Sequence, residues 1–171
     1  MNFSNAVAEF HNKHMFSIDL PYPSTKLGVP VETYRTGIDE SARQIEITIT
    51  EMRTCSVKAL DAFKRTNDYR FMRMHLILEE CAETVQALCG TDEVELIDGI
   101  ADLVYVLAGT AVTFNLPFEE AFEEVHKSNM TKNTAREREK CDVDDVRLRN
   151  KGKDYVPPNL REVLRQWRKR I

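Results

Sequence analysis

Two stretches in the middle of the chain carry apolar residues at helical spacing. In the first, Tyr69–Leu88, apolar positions recur at intervals of three and four residues, which predicts an amphipathic α-helix with one buried stripe. The stripe consists of Phe71, Met74, Ile77, Leu78, Cys81, Val85 and Leu88. Gly90 follows directly and indicates where this helix ends.

The next stretch, residues 92–115, is the most apolar helical segment, and Pro117 marks its end. The pattern predicts that this second helix buries one apolar face. That face consists of Ile97, Ile100, Ala101, Val104, Leu107 and Ala108. A link of only two residues, 90–91, makes the two predicted helices antiparallel neighbours.

The region before these helices is ambiguous. Residues 39–65 carry apolar residues at helical spacing, but residues 44–51 also alternate as a strand would. We favour a helix, because its length and the lack of a pairing partner count against an isolated strand. Three prolines within residues 20–31 predict an extended connector. The chain as a whole is therefore predicted to be all-α.

Composition restricts the class of protein. A chain of 171 residues with 42% hydrophobic and 30% charged residues fits one domain with a buried core, and it excludes wholesale disorder. No apolar run approaches the ~20 residues that cross a bilayer, and the N-terminus lacks the pattern of a secretory signal. We expect no membrane partner and a cytoplasmic location.

The charge pattern points to chemistry. From Glu79 to Glu124 there are twelve carboxylates and no Lys or Arg. On the first predicted helix Glu79, Glu80 and Glu83 cover an arc of about 100°, beside the apolar stripe. On the second, three further carboxylates fall within about 60° of one another, again beside the apolar face. These three are Glu95, Asp98 and Asp102.

Antiparallel packing brings these two acidic arcs to face each other across a groove. Two like charges about 4 Å apart repel by roughly 4 kcal/mol at an effective dielectric near 20, so the cluster calls for bound cations. An all-carboxylate set without His or Cys favours Mg²⁺ or Mn²⁺, whereas no Ca²⁺-binding loop is present in the sequence. The simpler alternative is a solvated acidic face.

The acidic segments resemble the metal signature of a known enzyme group. Residues 78–83 and 95–102 are similar to the signature of the MazG-like all-α nucleoside triphosphate pyrophosphohydrolases, which include phosphoribosyl-ATP pyrophosphohydrolases. Residues 124–132 resemble the family's nucleotide-contacting HxSNMxK segment. Residues 151–160 resemble its proline-containing tail, and residues 7–11 resemble its N-terminal V-x-EFH.

The resemblance implies a helical bundle of the all-α NTP pyrophosphatase type, with irregular N-terminal and C-terminal extensions. We expect a single domain over residues 1–171, with its core at about 69–132, an N-terminal extension at 1–66 and a C-terminal tail at 133–171. Residues 20–66 are longer and more polar than in compact members, so their role stays open.

The resemblance also implies an activity, the cleavage of (d)NTP between the α and β phosphates to give (d)NMP and pyrophosphate. It implies two or more Mg²⁺ ions per site, for which Mn²⁺ can substitute. The implied metal ligands are Glu80, Glu83, Glu95 and Asp98. The implied catalytic residues are Glu79 and Glu80, with Glu79 either a ligand or the group that orients water. Asp102 is a further ligand, a contact of a ligand, or a partner for Lys132.

Phosphate oxygens that the metal leaves uncovered need cationic or amide donors. The implied nucleotide- and phosphate-binding residues are Asn129, Lys132, Lys127 and Arg73. An ordinary surface role explains Arg73 equally well, and a solvated helix end explains the other three. The basic segment 160–171 has a docking stripe that accounts for it, so no nucleic-acid partner is expected.

Amphipathic helices with such strongly apolar faces predict association, and the resemblance implies a homodimer or homotetramer. Two other functions stay open. One is a non-catalytic helical module that binds a nucleotide or a partner helix through the acidic groove. The other is hydrolysis of phosphoribosyl-ATP, which we rank below general (d)NTP hydrolysis.

Overall fold

A computed structural model of the protein describes residues 3–14, 37–134, 137 and 151–170. Within these ranges the secondary structure consists of six α-helices, without strands, and the all-α prediction is confirmed. The helices are α1 (Phe3–His14), α2 (Gly37–Thr66), α3 (Tyr69–Leu88), α4 (Glu93–Thr113), α5 (Phe118–Asn129) and α6 (Leu160–Arg168). They form two compact units, one with α2, α3 and α4 and the other with α1, α5 and α6.

In the first unit α3 lies between α2 and α4 and packs against both. The prediction of α3 is confirmed at both ends, and α4 lies within the predicted residues 92–115. The helical alternative for residues 39–65 is also confirmed, since α2 runs through them, and the strand alternative for residues 44–51 is wrong. The proposed connector at 20–31 lies outside the described residues.

Two aspartates fix where α3 and α4 begin. The carboxylate of Asp68 accepts a hydrogen bond from the backbone N–H of Arg70, and Asp92 accepts from Val94 and Glu95. These are N-cap bonds, which satisfy backbone donors that have no partner inside the helix. The cap at Asp92 therefore fixes the first turn of α4, in which Glu95 lies.

The apolar face of α4 is exposed, contrary to the sequence prediction. Ile97, Ile100, Val104 and Leu107 are between 42% and 63% exposed, and the residues that α4 does bury are Gly99, Val106 and Ala111. The reason is that, within its unit, α4 has α3 as its one closely packed neighbour. Among the described helices, α4 is also the one that is long and apolar enough to cross a membrane by length and composition.

In the second unit α5 contacts both α1 and α6. From α1, the Lys13 ammonium donates to the Met130 carbonyl, and a carboxylate oxygen of Glu9 lies 3.3 Å from Nε2 of His126. On α5 the Ser128 hydroxyl donates to the carbonyl of Val156 at 2.7 Å. The segment that resembles HxSNMxK therefore ties α1 and the proline-containing tail to α5.

Candidate metal and nucleotide site

The site begins with a close approach of α3 and α4. The buried Thr84 hydroxyl lies 2.8 Å from two carbonyl oxygens, that of Glu80 in its own helix and that of Gly99 in α4. A Cβ atom on Gly99 would lie 3.2 Å from the Cα of Thr84. The absence of a side chain at Gly99 therefore allows the two backbones to come this close. Glu83 precedes Thr84 and Asp98 precedes Gly99, so the close approach draws these two carboxylates together.

A pocket of about 290 Å³ lies beside this contact. All three helices of the unit contribute to its lining, which contains four carboxylates and one guanidinium. The lining residues are Arg53 from α2, Glu83, Gln86 and Ala87 from α3, and Glu95, Asp98, Gly99 and Asp102 from α4. The structure thus brings most of the carboxylates of the two sequence motifs to one pocket.

The remaining two carboxylates, Glu79 and Glu80, belong to the same electrostatic cluster. The pKa of Glu80 is raised above its usual value, first by burial and then by four neighbouring negative charges. These neighbours, in decreasing order of effect, are Glu83, Asp102, Glu79 and Asp98. The crowding of like charges that the sequence predicted is therefore present in the fold.

The anionic groups that line the pocket are all carboxylates. Carboxylate oxygens are the ligands that hard divalent cations prefer, so the chemistry of the lining fits such an ion. Within the described ranges, no three Asp, Glu, His or Cys side chains are arranged to hold an ion in this conformation. Glu83, Asp98 and Asp102 are exposed side chains. Exposed side chains exchange rotamers quickly, so the present rotamers of these three carboxylates do not fix where they lie when an ion is bound.

A chain of contacts leads from Ser56 in α2 through His75 to Glu79. The Ser56 hydroxyl lies 2.6 Å from Nδ1 of His75, and Nε2 of His75 lies 3.6 Å from a carboxylate oxygen of Glu79. Ser56 is buried, whereas about half of the Glu79 side chain is exposed. His75, which Ser56 contacts, therefore lies next to Glu79 at the edge of the cluster. In the sequence, the i, i+4 spacing of His75 and Glu79 is the feature that could have indicated their contact. No sequence feature indicates that Ser56 contacts His75.

Arg73 makes a packing contact. Its Nη2 donates to the carbonyl of Val106 at 2.5 Å, and its Nε donates to the hydroxyl of Thr110 at 3.0 Å. Arg73 thereby ties α3 to α4, and it is not among the residues that line the carboxylate pocket. Its assignment to phosphate stays a prediction.

The other implied nucleotide-binding residues lie in the second unit. Asn129 ends α5 and Lys132 follows it, both half-buried, whereas Lys127 is exposed and lines a separate polar pocket. His126 and Ser128 of the same segment are buried and hold other parts of this unit. Part of the segment that resembles HxSNMxK thus has a structural role, and the nucleotide-binding roles stay predictions.

Comparison with known protein families gives one match. Residues 48–129 match the family described as phosphoribosyl-ATP pyrophosphohydrolase. That family belongs to the MazG-like all-α NTP pyrophosphatase superfamily. By this match the chain is a nucleotide pyrophosphohydrolase, a hydrolase that acts on phosphoric anhydrides. No curated protein and no solved structure matches the chain.

The matched region of this pyrophosphohydrolase begins inside α2 and ends with α5. It contains every residue that lines the carboxylate pocket, including Arg53. The sequence resemblance covered residues 69–160 and the N-terminal residues 7–11, so it left out the part of α2 that the family model matches. MazG-like pyrophosphohydrolases generally use divalent metal ions, in accordance with the carboxylate pocket.

The close approach at Gly99 predicts a specific loss of activity. In Gly99→Ala the added methyl group meets backbone at 3.2 Å, so α3 and α4 must separate by a few tenths of an ångström. Alanine gains about 1 kcal/mol of helix propensity over glycine, which offsets much of the packing cost. We expect turnover to fall severalfold while the free energy of unfolding in urea changes by less than about 1 kcal/mol. Wild-type turnover in Gly99→Leu would contradict this account.

The raised pKa of Glu80 predicts how pH affects stability without metal. At pH values between 4.5, the usual pKa of a glutamate, and the raised pKa of Glu80 in the folded protein, Glu80 is ionised in the unfolded chain and still protonated in the folded one. Ionisation of Glu80 therefore lowers the free energy of unfolding as the pH rises above 4.5. Glu80→Gln should be more stable than the wild type at pH 7 in EDTA, with the difference vanishing near pH 4. Chemical denaturation at both pH values checks this, with the exposed Glu93→Gln on α4 as the control.

Proposed function

We propose that this pyrophosphohydrolase cleaves (d)NTPs between the α and β phosphates in a Mg²⁺-dependent reaction, giving (d)NMP and pyrophosphate. The observation that carries the proposal is the pocket in which Glu83 from α3 meets Glu95, Asp98 and Asp102 from α4, within the region that matches the family. A triphosphate is strongly anionic, so an acidic pocket can accept it only together with cations.

Glu80, Glu83, Glu95 and Asp98 would hold two or more Mg²⁺ ions, which Mn²⁺ can replace. Metal ions held there would supply Lewis-acid chemistry, namely charge neutralisation of the phosphates, polarisation of the α-phosphoryl group and a more acidic attacking water. Glu79 would orient that water, and His75 lies next to its carboxylate. Asp102 acts as a further ligand or holds one of the ligands in place.

The nucleotide contacts of the proposal come from Asn129 and Lys132, with Lys127 and Arg73 as further candidates. Resemblance to the HxSNMxK segment supports the first two. Arg73 has the weakest support, because its guanidinium is already engaged with α4. Asn129→Ala and Lys132→Ala should raise KM more than they lower kcat.

The test is a substrate panel with Mg²⁺ and with Mn²⁺, in which the products are separated and identified. The proposal expects monophosphate and pyrophosphate from at least one (d)NTP, and no turnover in EDTA. Steady formation of diphosphate and orthophosphate would reject the assigned bond. The panel includes phosphoribosyl-ATP, because the matching family carries that substrate in its description. Its exclusive cleavage would favour this second candidate.

The exposed apolar face of α4 supports self-association of the enzyme. Ile100, Val104 and Leu107 lie at i, i+4 and i+7 and form a continuous aliphatic stripe without a charged residue. Such a stripe is self-complementary, so a second copy related by two-fold symmetry covers it with the same residues. Insertion of α4 into a membrane is the less favourable alternative, since each carboxylate near the centre of such a helix costs about 2.5–3.5 kcal/mol.

A further inference from the structure

Arg53 is the one basic residue among those that line the carboxylate pocket. It comes from α2, the helix opposite α4 in this unit, whereas the carboxylates come from α3 and α4. Its guanidinium is therefore the one cationic group that the lining of this pocket offers to an anion.

Gln86 holds the guanidinium of Arg53. Nη2 of Arg53 donates to Oε1 of Gln86 at 2.5 Å, and Gln86 itself lines the pocket one helical turn after Glu83. Among the residues that the structure describes, Arg53 forms no ion pair with a carboxylate. The partner that orients it is thus a neutral amide, and its guanidinium is not engaged in an ion pair with a described carboxylate.

We propose that Arg53, oriented by Gln86, binds the two outer phosphates of the triphosphate, the part that leaves as pyrophosphate. The inference rests on the proposed function. In that reaction metal ions held by the carboxylates would serve as the Lewis acid for the α-phosphoryl group. The outer phosphates carry most of the substrate's charge and need a second cation. A planar guanidinium matches phosphate oxygens with two parallel hydrogen bonds.

A different role for Arg53 would be to neutralise the acidic cluster. An arginine with that role would form an ion pair with one of the carboxylates, whereas Arg53 is bonded to Gln86. The two roles also differ in what they predict. A neutralising arginine affects metal affinity and stability, whereas a phosphate-binding arginine affects the affinity for pyrophosphate and leaves the affinity for monophosphate unchanged.

The experiment compares the full-length wild type with Arg53→Ala, Arg53→Lys and Gln86→Ala. Arg65→Ala is the matched control, since Arg65 is exposed on the same helix and is not among the residues that line the pocket. At saturating Mg²⁺ the readouts are KM for the best (d)NTP and the inhibition constants of pyrophosphate and of the monophosphate product. Mn²⁺ affinity, from calorimetric titration, reports an intact metal site.

We expect Arg53→Ala to raise KM and the pyrophosphate inhibition constant by about tenfold to a hundredfold, as the loss of a hydrogen bond to a charged group does. Inhibition by the monophosphate and affinity for Mn²⁺ should stay within twofold of the wild type. Arg53→Lys should recover part of the loss, Gln86→Ala should show a smaller loss, and Arg65→Ala should match the wild type.

Unchanged pyrophosphate inhibition in Arg53→Ala would overturn the inference, as would equal weakening of pyrophosphate and monophosphate. Loss of Mn²⁺ binding in this variant would also overturn it, since Arg53 would then support the metal site itself. Failure of the proposed function shows up separately, as a wild type that cleaves no triphosphate. In that case calorimetric titration of pyrophosphate in the presence of Mn²⁺ still decides whether Arg53 binds it.

Discussion

Asp98→Asn should lower triphosphate turnover by at least about 100-fold, because loss of a residue that merely supports a metal ligand already costs 10–100-fold. The change removes one negative charge from the pocket and keeps the size of the side chain. With one ligand charge fewer, the remaining carboxylates bind divalent ions more weakly, and the anionic substrate loses its link to the protein.

The fold should survive this substitution. Asp98 is exposed, and its charge raises the pKa of Glu80, so the metal-free variant should be at least as stable as the wild type at pH 7. Glu93→Gln is the matched control, since Glu93 is an exposed carboxylate on α4 that is not among the residues lining the pocket. Undiminished turnover in Asp98→Asn would refute the site, whereas lost turnover in both variants would point to a general effect of charge on α4.

From the proposed self-association through α4, we expect Val104→Lys to be monomeric at concentrations at which the wild type associates. Val104 lies in the middle of the exposed aliphatic stripe of α4. In a two-fold interface the change buries two ammonium groups without partners, at a cost of several kcal/mol. A loss of about 3 kcal/mol raises the dissociation constant about 100-fold. Sedimentation velocity over a range of protein concentrations measures this shift.

A Val→Lys substitution on a surface that stays exposed to solvent should change the free energy of unfolding by less than about 0.5 kcal/mol. Val156→Lys is therefore a suitable control, because the Val156 side chain is exposed in the second unit. A wild type that sediments as a monomer at all concentrations, or a Val104→Lys variant that stays associated, would contradict self-association through α4. Association of the wild type with lipid vesicles would point to a membrane as the occupant of this face.

The helices and the acidic cluster could be predicted because their causes are local. Apolar spacing and a following glycine set the bounds of α3, and a short link makes α3 and α4 neighbours. Once the helices are antiparallel, the position of Glu83 and Asp98 on their arcs brings them to one pocket. The contact of Thr84 with Gly99 fixes the spacing, and pattern alone does not reveal it.

Other features could not be predicted because they depend on contacts between distant segments. Arg53 reaches the pocket from α2, a helix whose strand alternative the sequence left open. Ser56 meets His75 only after α2 and α3 pack together. The exposure of Ile97 shows a further limit, since periodicity identifies an apolar face and says nothing of what covers it.

Titration of the metal-free protein with Mn²⁺, followed by electron paramagnetic resonance, tests most directly whether the pocket between α3 and α4 is a metal site. The account predicts saturable binding to the wild type and to Glu93→Gln. In Glu83→Gln and Asp98→Asn, binding should be at least about tenfold weaker. Equal Mn²⁺ affinity in all four proteins, or no saturable binding to the wild type, would contradict it.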